Sequence, residues 1–405
     1  MSFQQGLSGL FAAARNLDVI GNNVANATTV GFKSSGAVFA DAYANSLGAS
    51  TGLSVGIGTA VAEVRSNFGQ GNLTTTSNPL DIAINGQGFF RLDNNGTINY
   101  SRNGQFHLDK DGYIVNSGGS KVTGYGVDQA GNILVANPVP LQVSSSQLNA
   151  TPTSKAEIGL NLDARDPVIT LPFDIANPKT YNKATSLTIY DSLGNSHALS
   201  TYYTKTAANT WSVHASVDGT ALPAAAGTLN FKTDGTLASA APALPFPMSV
   251  ALPPGPTTPL VFTLDYPKAT QYGSSFSVDT LTQDGFASGL LAGYGLSDDG
   301  KILGRYSNGQ TRTLGQLVLS NFKNPNGLDP LGNNAFGESA ESGQPLPGTP
   351  GSGSLGVLQS GAVEESNVDL TQELVNMITA QRVYQANAQT IKTQDQVLNT
   401  IVNLR

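Results

Sequence analysis

Apolar side chains recur along residues 1–25 at alternating steps of three and four positions. Such spacing places them on one face of a helix and is typical of a heptad seam. The seam consists of Phe3, Leu7, Leu10, Ala14, Leu17, Gly21 and Val24. The polar stretch NNVANATTVGFK (22–33) follows directly. Because asparagine adopts turn conformations and satisfies backbone groups with its side chain, this stretch predicts the end of the helix.

A second heptad pattern occupies the C-terminal segment 366–405. Its apolar seam consists of Leu370, Leu374, Met377, Tyr384, Ala388, Ile391, Leu398 and Val402. The outer face carries Gln, Asn and Thr, whereas a solvated helix normally carries many Lys and Glu there. This composition favours packing against another copy of the chain, and two ordinary amphipathic helices on a globular core are the alternative. Because isolated helices are marginal in water, we expect both to be loosely held in a single subunit and ordered in an assembly.

Between the two ends the hydrophobic period changes to two, which is typical of β-strands. Residues 79–116 predict an antiparallel meander with turns at DNNG, RNG and KDG. Residues 186–219 predict two strands joined by DSLGN, and 300–322 predict a further β block. The Pro- and Ala-rich segment 236–259 is expected to be extended or looped.

Composition adds limits on size and partners. At 405 residues the chain predicts two or more domains. Only 12% of its residues are charged and 45 are glycine, which is typical of extracellular β-rich proteins. A net charge of −7 argues against a nucleic-acid partner. The N-terminus has neither a basic region nor an uninterrupted apolar run, so we expect no cleaved secretory signal and no membrane insertion.

The sequence offers little that could support catalysis or metal binding. It has no cysteine, and its three histidines, His107, His197 and His214, lie in different segments. No histidine has the sequence neighbours of a catalytic triad, although an arrangement built in three dimensions is the alternative. DKDG (109–112) is interpreted as a hairpin turn, because a calcium loop needs more carboxylates at fixed spacing. We therefore expect no catalytic residues, no cofactor and no metal.

Several motifs resemble those of a known family. NNVANATTVGFK is similar to the N-terminal signature of the axial proteins of the bacterial flagellum, the rod and hook family. NPLDIAINGQGFFRL, YSRNGQF and the segment from ESNVDL to the C-terminus are similar to its hook members. The resemblance covers the whole chain and is weakest over 145–280. The residues that match the signature are Asn22, Asn23, Asn26, Thr28, Gly31, Phe32 and Lys33.

The resemblance implies a mainly β fold with α-helical termini, in which paired terminal helices form a coiled-coil inner domain and two β domains are nested in sequence. The implied domains are the inner helices (1–30 and 366–405), a joining region (31–72 and 355–365), a β domain (73–145 and 285–354) and an inserted outer β domain (146–284). For the joining region, a flexible linker is the alternative. The implied polymer interface consists of Phe3, Leu7, Leu10, Leu17, Val24, Leu370, Leu374, Met377, Tyr384, Ile391, Leu398 and Val402.

The resemblance also implies a structural rather than an enzymatic role. Family members of this kind polymerise into the flagellar hook, a flexible tube that transmits torque from the rod to the filament. The implied partners are further copies of the chain, the distal rod, hook cap and hook–filament junction proteins, and the flagellar type III export apparatus, which delivers the subunit outside the cell. A distal rod protein is the alternative within the family, and a secreted β-rich adhesin is the alternative outside it.

Overall fold

The computed structural model describes residues 2–42, 56, 58–128, 131–144, 147–222, 225–251 and 259–403. These residues form a mainly β structure with a long helix near each end, as the sequence predicts. The helices are α1 (Ser2–Ala25) and α2 (Leu370–Asn403). The chain divides into two compact units, of which the first comprises Met1–Ser144, Gly293–Gly304 and Thr311–Arg405 and the second comprises Ser145–Ala292 and Arg305–Gln310.

The N-terminal part of the first unit contains a β-hairpin and the start of a larger sheet. Its strands are β1 (Ser35–Ala42), β2 (Gly58–Ser66), β3 (Leu73–Thr75), β4 (Ile82–Asn85), β5 (Phe89–Asn94), β6 (Thr97–Ser101), β7 (Phe106–Leu108), β8 (Ile114–Asn116), β9 (Lys121–Tyr125) and β10 (Val139–Pro140). Strands β1 and β2 pair in antiparallel fashion within the predicted joining region. Residues 43–55 and 57 of that region lie outside the described residues.

The second unit contains one mixed and one antiparallel sheet. Its strands are β11 (Lys155–Asp163), β12 (Lys183–Tyr190), β13 (Ser196–Ala207), β14 (Thr210–Val217), β15 (Thr220–Ala221), β16 (Gly227–Phe231), β17 (Leu237–Ala241), β18 (Phe246–Val250), β19 (Leu260–Asp265), β20 (Thr270–Tyr272) and β21 (Ser277–Gln283). One sheet has the order β18-β19-β11-β20, with β21 also paired to β11; the other has the order β12-β13-β14-β16-β17.

The chain then completes the first unit and enters α2. The remaining strands are β22 (Leu291–Leu296), β23 (Lys301–Tyr306), β24 (Thr311–Leu317), β25 (Leu319–Asn321), β26 (Asp329–Gly332), β27 (Ala335–Gly337), β28 (Leu346–Gly348), β29 (Val357–Ser360) and β30 (Ala362–Glu364). Single turns of 3-10 helix lie at Pro178–Thr180 and Pro325–Gly327.

The predicted meander over 79–116 is only partly correct. The DNNG turn joins β5 to β6 and the KDG turn joins β7 to β8, as expected. The RNG turn does not join a hairpin: β6 pairs with β27, and β4 pairs with β29. Gly104 of this turn packs on the β4 backbone, because a Cβ there would lie 1.7 Å from the carbonyl oxygen of Ile82. Pairing with C-terminal strands therefore replaces the local pairing that the sequence predicts.

One core cluster of the first unit is mostly aromatic. It consists of Phe89, Tyr100, Phe322, Leu328 and Phe336, which are all buried. The rings of Tyr100 and Phe322 meet edge to face with centroids 4.7 Å apart. Edge-to-face pairs add roughly 0.5–1.5 kcal/mol to the free energy gained from burial. Because these residues come from both halves of the unit, the core connects segments that are distant in sequence.

The core of the second unit surrounds Trp211, the one tryptophan of the chain. This side chain is fully buried, and its Nε1 donates a hydrogen bond of 3.0 Å to Oε1 of Gln271. Burial raises the pKa of Tyr203 to about 12. The predicted DSLGN turn joins β12 to β13, with Tyr190 opposite Ser196. In the segment 236–259, β17 and β18 are extended as predicted, and 252–258 lies outside the described residues.

Candidate assembly surface

The two terminal helices contact each other through a narrow line of small residues on α1. A Cβ added to Gly6 would lie 3.2 Å from Cγ1 of Ile391, and one added to Gly9 would lie 2.8 Å from Oδ1 of Asn387. Ala13 and Ile20 continue the line at helical spacing and are buried. Small side chains permit close approach of two helix backbones, so this line serves as the contact within one chain.

The line differs from the leucine seam that the sequence analysis selected on α1. Phe3 is 45% exposed. Leu7, Leu10, Leu17 and Val24 are half-buried, whereas the fully buried helix residues lie between them. The predicted helix is present, and its contact with α2 lies beside the seam that the sequence analysis assigns to the polymer interface. Gly6, Gly9 and Ala13 were not selected, because hydrophobicity alone selects the larger side chains.

On α2 the predicted seam divides into two sets. Met377 and Ile391 are half-buried. Leu374 and Leu398 are 45% and 51% exposed, and Leu370 and Tyr384 are exposed as well. The side chain of Val402 lies outside the described residues. Further apolar residues exposed on this helix are Val375, Ile378, Val383 and Val397. Successive residues of a helix turn by about 100°, so Leu370, Leu374, Ile378, Tyr384 and Leu398 lie on one side of α2, and we call these five the α2 apolar face.

The β1–β2 hairpin closes against α1 and forms a recess with both helices. Nε2 of Gln5 donates a hydrogen bond of 2.7 Å to the carbonyl of Gly56, and the Thr59 amide donates to Oγ of Ser8 at 3.3 Å. The recess has a volume of about 530 Å³, and its lining includes Ala13, Ile20, Phe39, Ala380 and Val383. These hydrogen bonds hold the β2 side of the hairpin to α1.

The signature residue Asn23 connects three elements. Its Nδ2 donates to the carbonyl of Ser35 at 2.7 Å and to Oε1 of Glu373 at 3.1 Å, and its Oδ1 accepts from the Ser35 amide at 2.9 Å. Asn23 is 1% exposed. It therefore fixes the end of α1 to the start of β1 and to the first turn of α2.

The other signature asparagines act locally. Nδ2 of Asn26 donates to the carbonyl oxygen and Oδ1 of Asn22, at 2.9 and 3.0 Å. These bonds satisfy backbone groups where α1 ends at Ala25, as the sequence predicts. Thr28 is exposed and Phe32 is half-buried. Gly31 has a φ of +72°, and a Cβ there would lie 2.6 Å from the backbone of Asn103, so only glycine fits.

Lys33 occupies a buried ionic cluster. Its Nζ lies 2.6 Å from Oε1 of Glu364, and Nη1 of Arg102 lies 3.4 Å from Oε2 of the same carboxylate. The side chains of Lys33 and Glu364 are fully buried, and that of Arg102 is 4% exposed. Burial lowers the pKa of Lys33 and that of Arg102, while the Glu364 carboxylate partly opposes both shifts. We call these three residues the ion triad.

Sequence reasoning missed the partners of the signature residues. Glu364 and Arg102 were given no role. The contact of Glu373 with Asn23 was not predicted, nor was that of Asn367, whose Oδ1 accepts from the Ser34 amide at 2.8 Å. Two signals were available. Glu364 and Glu365 stand together before α2, and Arg102 lies in the YSRNGQF motif. Their partners are 262 to 350 positions away in sequence, so spacing could not reveal them.

In the parts of the chain that the structure describes, no group of three or more His, Asp and Glu side chains could hold a metal ion. Within the same residues, neither helix is long and apolar enough to cross a membrane. His197 lies between two carboxylates, 2.6 Å from Oδ2 of Asp218 and 3.5 Å from Oδ2 of Asp191. His214 stacks on Phe173 with ring centroids 4.2 Å apart.

Family models match four segments of the chain. A model described as flagella basal body rod protein matches residues 3–33, and one described as flagellar basal body rod FlgEFG protein C-terminal matches 359–404. A model of the flagellar hook protein FlgE/F/G D1 domain matches 83–191, and one of the flagellar basal body protein FlaE D2 domain matches 161–286. The match at the N-terminal end covers α1 and the signature, and the match at the C-terminal end covers α2.

Curated relatives match over the full length. The chain is 45% identical to the flagellar hook protein FlgE of Escherichia coli (strain K12), with 100% of both chains covered. It is 31% identical to FlgE of Borreliella burgdorferi, covering 100% of this chain and 99% of the relative. The crystal structure of Helicobacter pylori flagellar hook protein FlgE2 shares the fold, with a TM-score of 0.55 at 15% identity, over 72% of this chain and 100% of that one. The chain therefore belongs to the flagellar hook protein family.

Proposed function

We propose that this chain is the structural subunit of the flagellar hook and polymerises into a flexible tube that transmits torque from the rod to the filament. Sequence identity of 45% and 44% to two hook proteins over the full length of the chain supports the proposal. The observation that carries it is the α2 apolar face, because large apolar side chains stay exposed on a helix whose neighbouring face already packs on α1. Large apolar side chains exposed along one side of a helix are typical of a protein–protein contact.

The energy available from the α2 apolar face fits an assembly contact. Each of its side chains is about half exposed, so burying the rest contributes on the order of 1 kcal/mol per residue. The sum is comparable to an association cost of roughly 4–15 kcal/mol. In a tube each subunit has several neighbours, so the total gain exceeds that cost. The predicted interface residues Phe3, Leu7, Leu10, Leu17 and Val24 would add the corresponding face of α1.

We assign different mechanical roles to the parts of the chain. Paired helices over 1–30 and 366–405 would form a coiled-coil inner domain that keeps neighbours together. A β domain (73–145 and 285–354) would follow a joining region (31–72 and 355–365). An outer β domain (146–284) would offer polar surfaces of low charge, whose contacts are individually weak. Many weak contacts give many arrangements of similar energy, which a bending tube requires.

The proposed location and partners follow from this role. The subunit would lie outside the cell in the bacterial flagellum, reached through the flagellar type III export apparatus without cleavage of a signal. It would contact further copies of itself, the distal rod, the hook cap and the hook–filament junction proteins. Tube formation requires no catalytic residue, cofactor, nucleic acid or membrane insertion, so the role is structural rather than enzymatic.

A matched pair of double variants tests the role of the α2 apolar face. Leu374→Ala with Leu398→Ala removes two exposed leucines from α2, and Leu171→Ala with Leu193→Ala removes two leucines of the second unit that are at least as exposed. A loss of about 2 kcal/mol in the first variant raises the critical concentration for polymerisation roughly 30-fold. Sedimentation and negative-stain microscopy measure it. Equal critical concentrations in the two variants would refute the assignment.

A further inference from the structure

The two connectors between the β strands and the helices of the first unit run side by side. The first connector follows α1 and contains Lys33, and the second begins at Glu364, the last residue of β30, and leads to α2. The Gly31 amide donates to the carbonyl of Glu364 at 2.7 Å, and the Ser34 amide donates to Oδ1 of Asn367 at 2.8 Å. These two connectors are the covalent links between the helices and the β strands of the first unit.

The Glu364 carboxylate is the point where four segments of the first unit meet. Its Oε1 accepts from Nζ of Lys33 at 2.6 Å and from the Gly71 amide at 2.9 Å. Its Oε2 accepts from Nη1 of Arg102 at 3.4 Å, and Nη2 of that arginine donates to the carbonyl of Gly86 at 2.9 Å. Lys33 in turn donates to the carbonyl of Gly69 at 2.8 Å.

Burial distinguishes this cluster from ordinary surface ion pairs. Two cations share one carboxylate, and the side chains are almost fully withdrawn from solvent. A buried ion pair is weak evidence for stability, because desolvation offsets its attraction; its best-attested use is to fix one arrangement among alternatives. The same chain contains an exposed pair, Arg65 and Glu63, whose side chains are 57% and 50% exposed.

We propose that Lys33, Glu364 and Arg102 are positioning residues that lock the two connectors together and so fix the direction in which α1 and α2 leave the β strands. The inference rests on the proposed function, because that direction has mechanical consequences only in a polymer. In the assembled tube the ion triad sets the curvature and the bending stiffness. The carboxylate fixes direction better than an apolar contact, because its three donors, Lys33, Gly71 and Arg102, approach from separate segments.

Two substitutions test the ion triad in the full-length chain. Glu364→Gln keeps the shape and removes the charge. Lys33→Met leaves Arg102 facing the Glu364 carboxylate, so the charges of the cluster still cancel. This variant provides the test if Glu364→Gln does not fold. Glu63→Gln is the matched control, because it makes the same change in the exposed pair. Amide hydrogen exchange reports the connectors and the core, and electron microscopy of the polymers reports curvature and persistence length.

For both triad variants we expect the amides of residues 31–35 and 71 to be protected from hydrogen exchange at least tenfold less than in the parent. The protection of the β5 amides should be unchanged. The polymers of both triad variants should have altered curvature or a persistence length reduced at least twofold, whereas Glu63→Gln should match the parent. Loss of polymer in Lys33→Met with β5 still protected also supports the proposal. Parent-like protection, or parent-like polymers from both triad variants, would overturn it. A parent chain that forms no polymer would instead refute the proposed function.

Discussion

Replacing Asn23 should release the end of α1 from its neighbours. Asn23→Ala removes two hydrogen bonds to the Ser35 backbone and one to the Glu373 carboxylate. The matched control is Asn22→Ala, which changes the same residue type one position earlier. Asn22 is exposed, and Nδ2 of Asn26 keeps its bond of 2.9 Å to the Asn22 carbonyl after the change.

The magnitude follows from the kind of bond that is lost. Each neutral hydrogen bond contributes about 1 kcal/mol net, and one to a charged group contributes about 1.5–3 kcal/mol. The three bonds of Asn23 therefore sum to roughly 3.5–5 kcal/mol. Alanine returns up to about 0.7 kcal/mol through helix propensity. We expect a net loss of roughly 3–4 kcal/mol for Asn23→Ala and less than about 0.5 kcal/mol for Asn22→Ala.

Hydrogen exchange of the full-length chain measures this difference locally. A loss of 3 kcal/mol lowers protection on the order of 100-fold, because each 1.4 kcal/mol is a factor of ten. The effect should appear at the Ser35 amide and in the last turns of α1, with the strand β5 (Phe89–Asn94) as internal reference. Equal and small losses in the two variants would show that Asn23 does not hold the helix end.

The remaining predictions concern each unit separately. Gly104→Ala places a Cβ against the Ile82 carbonyl and should destabilise the first unit by about 3 kcal/mol, whereas Gly36→Ala, with open space around it, should cost less than about 1 kcal/mol; thermal unfolding compares them. His197 tests the second unit. Burial lowers its pKa, but its bonds to Asp218 and Asp191 outweigh burial and raise the pKa above 6.5. The bonds of His197 to the two carboxylates therefore add fully to the free energy of unfolding below pH 6.5, and this stabilisation is lost as pH rises through the folded pKa of His197. Trp211 fluorescence during denaturant unfolding measures this loss. A free energy of unfolding that does not change with pH would contradict the prediction, as would a His197→Gln variant with the same pH dependence as the parent.

The sequence was most informative where patterns are local. The ends of α1 and the turns at DNNG, KDG and DSLGN were predictable, because hydrophobic period and turn chemistry act within a few residues. The RNG turn was misread because β6 finds its partner in β27, far along the chain. A turn motif indicates that the backbone bends there, and only the tertiary fold determines which strands then pair.

The candidate site was predictable in its residue types and not in its contacts. Large apolar residues identified both helices, but the contact between α1 and α2 uses Gly6 and Gly9, which a hydrophobicity pattern ignores. Lys33 was identified through the signature, whereas its partner Glu364 is 331 positions away. Close approach and burial of charge depend on three-dimensional neighbours, so they could be read only from the structure.

The central claim is that the α2 apolar face joins one copy of this chain to another. A helical reconstruction by electron microscopy of polymers grown from the purified chain tests it most directly. The account predicts curved tubes in which Leu374 and Leu398 are buried against α1 or α2 of neighbouring copies. An ordered polymer in which both side chains face solvent would contradict it.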